Sequence, residues 1–254
     1  MPQSRKRLRL LVRASQKTNM SKIVHPFAHR LGILRDWRHR WFSVGPAYQE
    51  NLKADILLRE YLQKELRGMY IGAIEIERNK NLRVILKTSR PGVIIGRSGE
   101  GSVKLRNKIA SFLTKKGLAV PEIKLDIEEI RSPESNAAIV AYMVAEGLEK
   151  RLPFRRVLKQ TIEKVMANRD VKGVRIALGG MLGGGSMSRN EELKKGRIPL
   201  QTFRSDIDYA RERANLPLGV IGIKVWIYRG EVFAEKGKEK GKDKAKSLDV
   251  ARDK

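Results

Sequence analysis

The chain of 254 residues contains no cysteine. That absence excludes a disulfide framework, a cysteine zinc ribbon and a catalytic thiol, and it fits a reducing cytoplasm. No apolar run approaches the roughly 18 residues needed to cross a bilayer. Negative charge is also scarce. Asp and Glu number 28 against 54 Lys and Arg, which leaves a formal charge of +26. A free protein with that excess repels itself, and it is best understood beside a polyanion whose phosphates it neutralises. Charge needed only for solubility would be far smaller. The basic residues are spread along the whole chain, not gathered on one amphipathic helix, which argues against a membrane-surface role.

Hydrophobic residues make up 41% of the chain, enough for one large or two small globular domains. Residues 1–19, MPQSRKRLRLLVRASQKTN, are basic and hold no acid. Three readings fit them: an arm that orders on RNA, a mis-assigned start, or a targeting peptide. Their apolar part is too short for a secretory core, so they are read as a flexible basic extension. The segment 20–50 includes IVHPFAHRLGILRDWRHRWF and mixes basic with aromatic residues. Lys22, His25, Arg30, Trp37, Arg40 and Trp41 are its candidate RNA contacts, because guanidinium and indole planes lie well against sugars and bases. The alternative is that Phe27, Trp37, Trp41 and Phe42 pack the segment on its own domain. The two are compatible.

Residues 51–131 read as one α+β unit. A helix starts near Asn51, its expected N-cap, with Leu52, Ile56, Leu62 and Leu66 close to one face, and it stops at Gly68. The period then changes to two. Ile74 and Ile76 alternate with glutamates, and Leu82, Val84 and Leu86 follow a turn at 79–81, which predicts a hairpin. Val93, Ile94 and Ile95 lead into Gly96, Arg97, Ser98 and Gly99. A helix carrying Leu105, Ile109, Phe112 and Leu113 comes next, and then a strand with Ile123, Leu125 and Ile127. The pattern predicts helices on a three-stranded sheet. Residues 132–233 read as two helices, 134–151 and 154–168, split at Pro153. Strands follow around Val174–Leu178, Thr202–Tyr209 and Ile221–Ile227, with a glycine-rich loop, GGMLGGGSMS, between the first two. The tail 234–254 is charged and is expected to be disordered.

Gly96, Arg97, Ser98 and Gly99 form the sharpest local motif. Two glycines let a phosphate chain approach the backbone with no Cβ in the way. The helix behind them turns free N–H groups and its positive end toward the same phosphates. Arg97 adds a charge, Ser98 a hydroxyl, and Val93–Ile95 one apolar wall of a groove for bases. A GXXG alone is weak, but here it lies between an apolar turn and a helix in a strongly basic chain.

In this order the motif resembles a type II KH domain. KIVHPFAHRLGI, RPGVIIGRSGEG, PFRRVLKQTIEKVM, GRIPLQTFRSDIDYA and GVIGIKVWIYRGE together resemble the bacterial family of ribosomal protein S three of the small subunit. The likeness runs from Met20 to Glu231. It implies a cytoplasmic, ribosomal protein of two α+β domains, the second with two helices packed on a mostly antiparallel sheet. It also implies small-subunit ribosomal RNA and mRNA as partners, with S ten and S fourteen as neighbours in the subunit head. No cofactor, membrane or small-molecule substrate is implied. In the family, a basic cluster on a helix of the second domain faces incoming mRNA at its entrance channel and helps to unwind it. Arg155, Arg156 and Lys159 match that cluster, and their spacing puts them on one side of a helix. Met181 stands where the family usually has Arg, and residues 1–19 have no family counterpart.

Rival classes fit less well. GGMLGGGS lacks the Lys-Ser/Thr of a P-loop, so any unwinding would be passive. His25 and His29 are spaced like metal ligands on a helix, but Pro26 lies between them and no acid has matching spacing. Asp206 and Asp208 fall on one strand face, where Arg204 and Arg211 are the expected salt-bridge partners. A free-standing KH regulator would be expected to repeat its KH unit, and no helix-turn-helix, finger or zipper suggests DNA.

Overall fold

A computed structural model describes residues 25–79, 81–118, 122–217 and 219–233. The expected extension at 1–19, Lys22 and the tail at 234–254 lie outside the described residues. The described residues form two four-stranded sheets, each backed by helices.

The first unit contains β1 (His39–Arg40), α1 (Pro46–Glu65), β2 (Ile71–Arg78), β3 (Leu82–Thr88), α2 (Pro91–Ile95), α3 (Glu100–Lys115) and β4 (Ile123–Glu129). Its sheet order is β1-β2-β3-β4. β2 and β3 are an antiparallel hairpin, and β4 joins β3 in parallel. Alternation explains the layering. Ile74, Ile76, Val84 and Leu86 turn inward and meet Leu58, Leu62, Ile109 and Leu113 of the helices. Glu75 and Glu77 turn outward, where Arg40, Arg83 and Lys87 pair with them.

The three expected strands gain a fourth. β1 comes from the N-terminal segment and pairs with β2 in parallel at Ile76 and Glu77. A two-residue strand is too short to leave a periodic signal. The start of α1 also differs. Gly45, with φ at +68°, occupies the N-cap position, and Pro46 opens the helix. Asn51 lies inside the helix and accepts a hydrogen bond from Arg78 Nη1 at 3.3 Å. Leu52 and Ile56, expected on the core face, are 38% and 51% exposed. The face that packs is Ala54, Leu58 and Leu62, with Asp55 buried beside it.

The second unit contains α4 (Ala137–Glu149), α5 (Phe154–Ala167), β5 (Gly173–Gly180), β6 (Arg189–Gly196), β7 (Ser205–Leu216) and β8 (Gly219–Glu231). Its sheet is antiparallel throughout, in the order β6-β5-β8-β7. Asn136 caps α4 by accepting from the Ala138 and Ile139 N–H groups, which satisfies donors that the helix leaves open. Val144, Leu148, Leu158 and Ile162 of the two helices pack on Val174, Ile176, Ile223 and Val225 of the sheet. The opposite sheet face holds a smaller cluster of Ile207, Tyr209, Trp226 and Tyr228. β6 has no counterpart among the expected strands. Its sequence RNEELKKG carries one apolar residue, Leu193, that packs against the core. Charge on an edge strand protects it from pairing with other chains, and it also hides the strand from pattern reading.

Candidate nucleic-acid interface

The GXXG turn joins α2 to α3. Gly96 and Gly99 have φ of +70° and +80°, a conformation that glycine adopts freely. Ser98 also has a positive φ, +51°, which is strained for a residue with a Cβ. Ser102 Oγ donates to the Gly99 carbonyl at 2.7 Å and fixes the turn to the first turn of α3. Val93 and Ile95 are exposed beside it, whereas Ile94 is buried in the core. The expected apolar wall is therefore built from two side chains, not three. Glu100 lies in the first turn of α3 and pairs with Lys104 at 3.0 Å.

One residue that sequence reasoning missed is Gly101. A Cβ there would sit 2.5 Å from the Ile94 carbonyl oxygen and 2.8 Å from that of Ile95. The close approach of α3 to α2 therefore requires glycine, and that approach holds Gly96–Gly99 in place. The only sequence signal was a third glycine two residues beyond the motif.

On α5, Val157, Leu158, Thr161, Ile162 and Val165 are buried, while Arg155, Arg156 and Lys159 are exposed on the other side. This amphipathic split is what the helical period predicts. The three cations are not equivalent. Arg155 lies 3.4 Å from Glu191 of β6 and stands over the Phe154 ring. Arg156 and Lys159 form no ion pair among the described residues.

The N-terminal segment is divided between packing and exposure. Arg30 is 1% exposed. Its guanidinium donates to the carbonyls of Pro26, Leu200, Thr202 and Ser205 at 2.6–3.0 Å. Its expected RNA contact is thereby corrected: every hydrogen bond it makes is internal, and it ties the segment to the second unit. Arg40 is half exposed but is surrounded by Asp36, Glu75 and Glu77. Trp41 donates its indole N–H to Asp55 at 2.7 Å. His25 packs edge-on against Tyr209, with ring centres 4.6 Å apart. Burial first, then Arg38 and Arg211, lower its pKa below the ordinary value. Trp37 remains open, 61% exposed.

The other pairs singled out in the sequence serve the fold. The rings of His25 and His29 turn to different partners, Tyr209 and Phe203. Asp206 pairs with Arg35 at 2.6 Å, and Asp208 pairs with Arg229 at 3.2 Å while accepting from the Ala137 N–H at 2.9 Å. Salt bridges were expected there, but Arg204 and Arg211 are not the partners, since Arg204 pairs with Glu231. In the glycine-rich loop, Leu182 is buried and its carbonyl accepts from Arg189.

Comparison with known proteins assigns both units. Residues 57–135 match the KH domain family, and residues 144–227 match the family described as ribosomal protein S3, C-terminal domain. The chain is 42% identical over 219 residues to small ribosomal subunit protein uS3 of Caldicellulosiruptor saccharolyticus, covering 86% of this chain and 96% of that protein. It is 41% identical to uS3 of Coxiella burnetii, covering 85% of this chain and 93% of that protein. With uS3 of Pseudomonas fluorescens it is 41% identical, covering 87% and 94%. A KH unit followed by an S3 C-terminal unit, at this identity along nearly the whole length of the relatives, establishes that the chain belongs to the small ribosomal subunit protein uS3 family.

Proposed function

We propose that this chain is a structural constituent of the small ribosomal subunit. It binds ribosomal RNA in the subunit head, beside S ten and S fourteen, and meets mRNA at the entrance channel with α5. The observation that carries the second part is the free charge on α5. Arg156 and Lys159 are exposed without an acidic partner among the described residues, on a helix anchored by five buried residues. Such a helix presents fixed positive charge to phosphates without first breaking an internal ion pair. The domain limits proposed with this reading are 20–50 for the N-terminal segment, 51–131 for the KH domain and 132–233 for the C-terminal domain.

The unwinding assigned to the cluster is passive: the cations favour single strands that open thermally. Arg155→Ala with Arg156→Ala is expected to leave subunit assembly intact and to slow translation of a message with a hairpin ahead of the entrance. Because Arg155 is paired with Glu191 and, among the described residues, the other two cations are not, Arg156→Ala with Lys159→Ala should have the larger effect. Equal translation rates on structured and unstructured messages in both variants would refute the mRNA role. The ribosomal RNA role would be untouched by that result.

A further inference from the structure

A cleft of about 1660 Å³ opens between the two sheets. One wall is α1, the N-terminal segment and the part of β2 that the short β1 leaves uncovered. The other is the β7 edge of the second sheet. Arg38 and Arg59 line the first wall, Arg211, Arg213 and Lys224 line the second, and His25 lies with them. Arg211 and Arg213 share a face of β7 by strand alternation, and Lys224 of β8 is in register opposite Arg211.

None of these five cations forms an ion pair among the described residues. Three of the four carboxylates that line the cleft are paired with other cations, and Glu212 is the exception. Asp36 and Glu75 hold Arg40, and Asp208 holds Arg229. Glu212 accepts from the Arg213 backbone N–H at 3.1 Å. Arg59 Nη2 is buried with no hydrogen-bond partner. Burial, then the Arg38 charge, lowers the Arg59 pKa, and Arg38 and Arg211 act together on His25. Arg38 is therefore close enough to Arg59 and His25, and Arg211 to His25, for like charge to be felt there. Asp55 offsets it at Arg59 and Asp208 at His25, but in both the lowering causes prevail. Convergent like charge around an orphan guanidinium nitrogen is relieved when an anion enters.

Guanidinium groups along both walls suit a polyanion with regularly spaced charges more than a single small anion. Trp37 lines the same cleft and, at 61% exposed, offers a ring face to an unstacked base. We propose that the cleft between the two units is a further RNA contact, in which Arg38, Arg59 and Arg211 grip the phosphodiester backbone of a single strand or loop. The proposal rests on the RNA-binding reading above and adds to it a site distinct from the GXXG turn and from α5.

The test uses the full chain and a 12-nucleotide oligouridylate carrying 4-thiouridine. Affinity is measured across a salt series, and photo-crosslinks are mapped by mass spectrometry. Arg38→Gln with Arg211→Gln should weaken binding roughly tenfold and reduce the slope of log affinity against log salt by about 1.4, at about 0.7 per phosphate on a single strand. Crosslinks to the cleft peptides should disappear while those at Gly96–Gly99 remain. Arg213→Gln with Lys224→Gln removes two exposed charges with no cost to packing and should act in the same direction. Unchanged affinity and slope in both double variants, with Gly96→Asp still weakening binding, would overturn the cleft site and leave RNA binding standing. A wild-type chain that fails to bind the oligonucleotide would overturn both. Polyglutamate that binds as tightly as the RNA, and is lost with the same variants, would reassign the cleft to an acidic peptide.

Discussion

Asp55 shows how a single residue can shape the first unit from within. It is 1% exposed. Arg78 Nε and Nη2 reach its Oδ1 at 2.7 and 2.5 Å, and Trp41 and His39 reach Oδ2 at 2.7 and 3.3 Å. The carboxylate thereby ties α1, β2 and the N-terminal segment together. Removing one partner of a buried pair leaves the other charged and unsatisfied, so Asp55→Ala should cost about 3–5 kcal/mol in urea unfolding. Burial pushes the Asp55 carboxyl up, but hydrogen bonds from His39, Arg78 and Trp41, with the Arg78 charge, outweigh it and hold the pKa below 3.8. A depressed folded-state pKa means that this stabilisation is full above the unfolded value and fades as pH falls through the folded one. Acid titration should show that loss in the wild type below about pH 4, and Asp55→Asn should abolish it. None of this was legible in the sequence. A lone Asp in an apolar stripe gives no sign of its partners, which lie 14–23 positions away. Arg30 misled for the same reason, since the carbonyls that hold it are set by the fold.

Elements were legible where the hydrophobic period was strong and single. α5 follows its pattern because one face alone is apolar. β2, β3 and β8 follow theirs because every second residue, on one face, is apolar, although β8 also buries Trp226 and Tyr228 on the other face. α1 was harder, because it carries apolar residues on two faces. Leu58 and Leu62 form the core face, while Tyr48, Leu52 and Ile56 form a second stripe that is exposed. Periodicity alone cannot choose between two stripes; the Asp55 cluster and the β2–β3 sheet decide which one packs. Chemical denaturation checks this directly. Leu58→Ala should destabilise the chain by about 2–5 kcal/mol, whereas Ile56→Gln should stay within about 0.5 kcal/mol of the wild type. β6 was missed because its apolar content is a single leucine, and its strand conformation is imposed by register with β5. Around the candidate turn Gly96–Gly99, the GXXG and its flanking helix were readable, but the dependence on Gly101 was not, because only the crossing of α2 and α3 makes that position crowded.

At the scale of the whole molecule, the two units are joined by more than the chain. Arg67 pairs with Glu149 and donates to the Arg213 carbonyl, Tyr70 donates to Glu146, and Arg30 crosses from the N-terminal segment to the second unit. These contacts hold three basic surfaces on one body: the GXXG turn, the outer face of α5 and the cleft between the sheets. A body of this kind, with a formal charge of +26, is built to be held at many phosphates at once. We propose that such a body is an integral part of the small ribosomal subunit. The most direct test is co-sedimentation of the tagged chain from a cell lysate on sucrose gradients at low and then high salt. An integral protein should peak with the small subunit and stay there at high salt, because many contacts together outlast the screening of each. Release to the top of the gradient at high salt would contradict the proposal and would mark the chain as a loosely held RNA-binding protein.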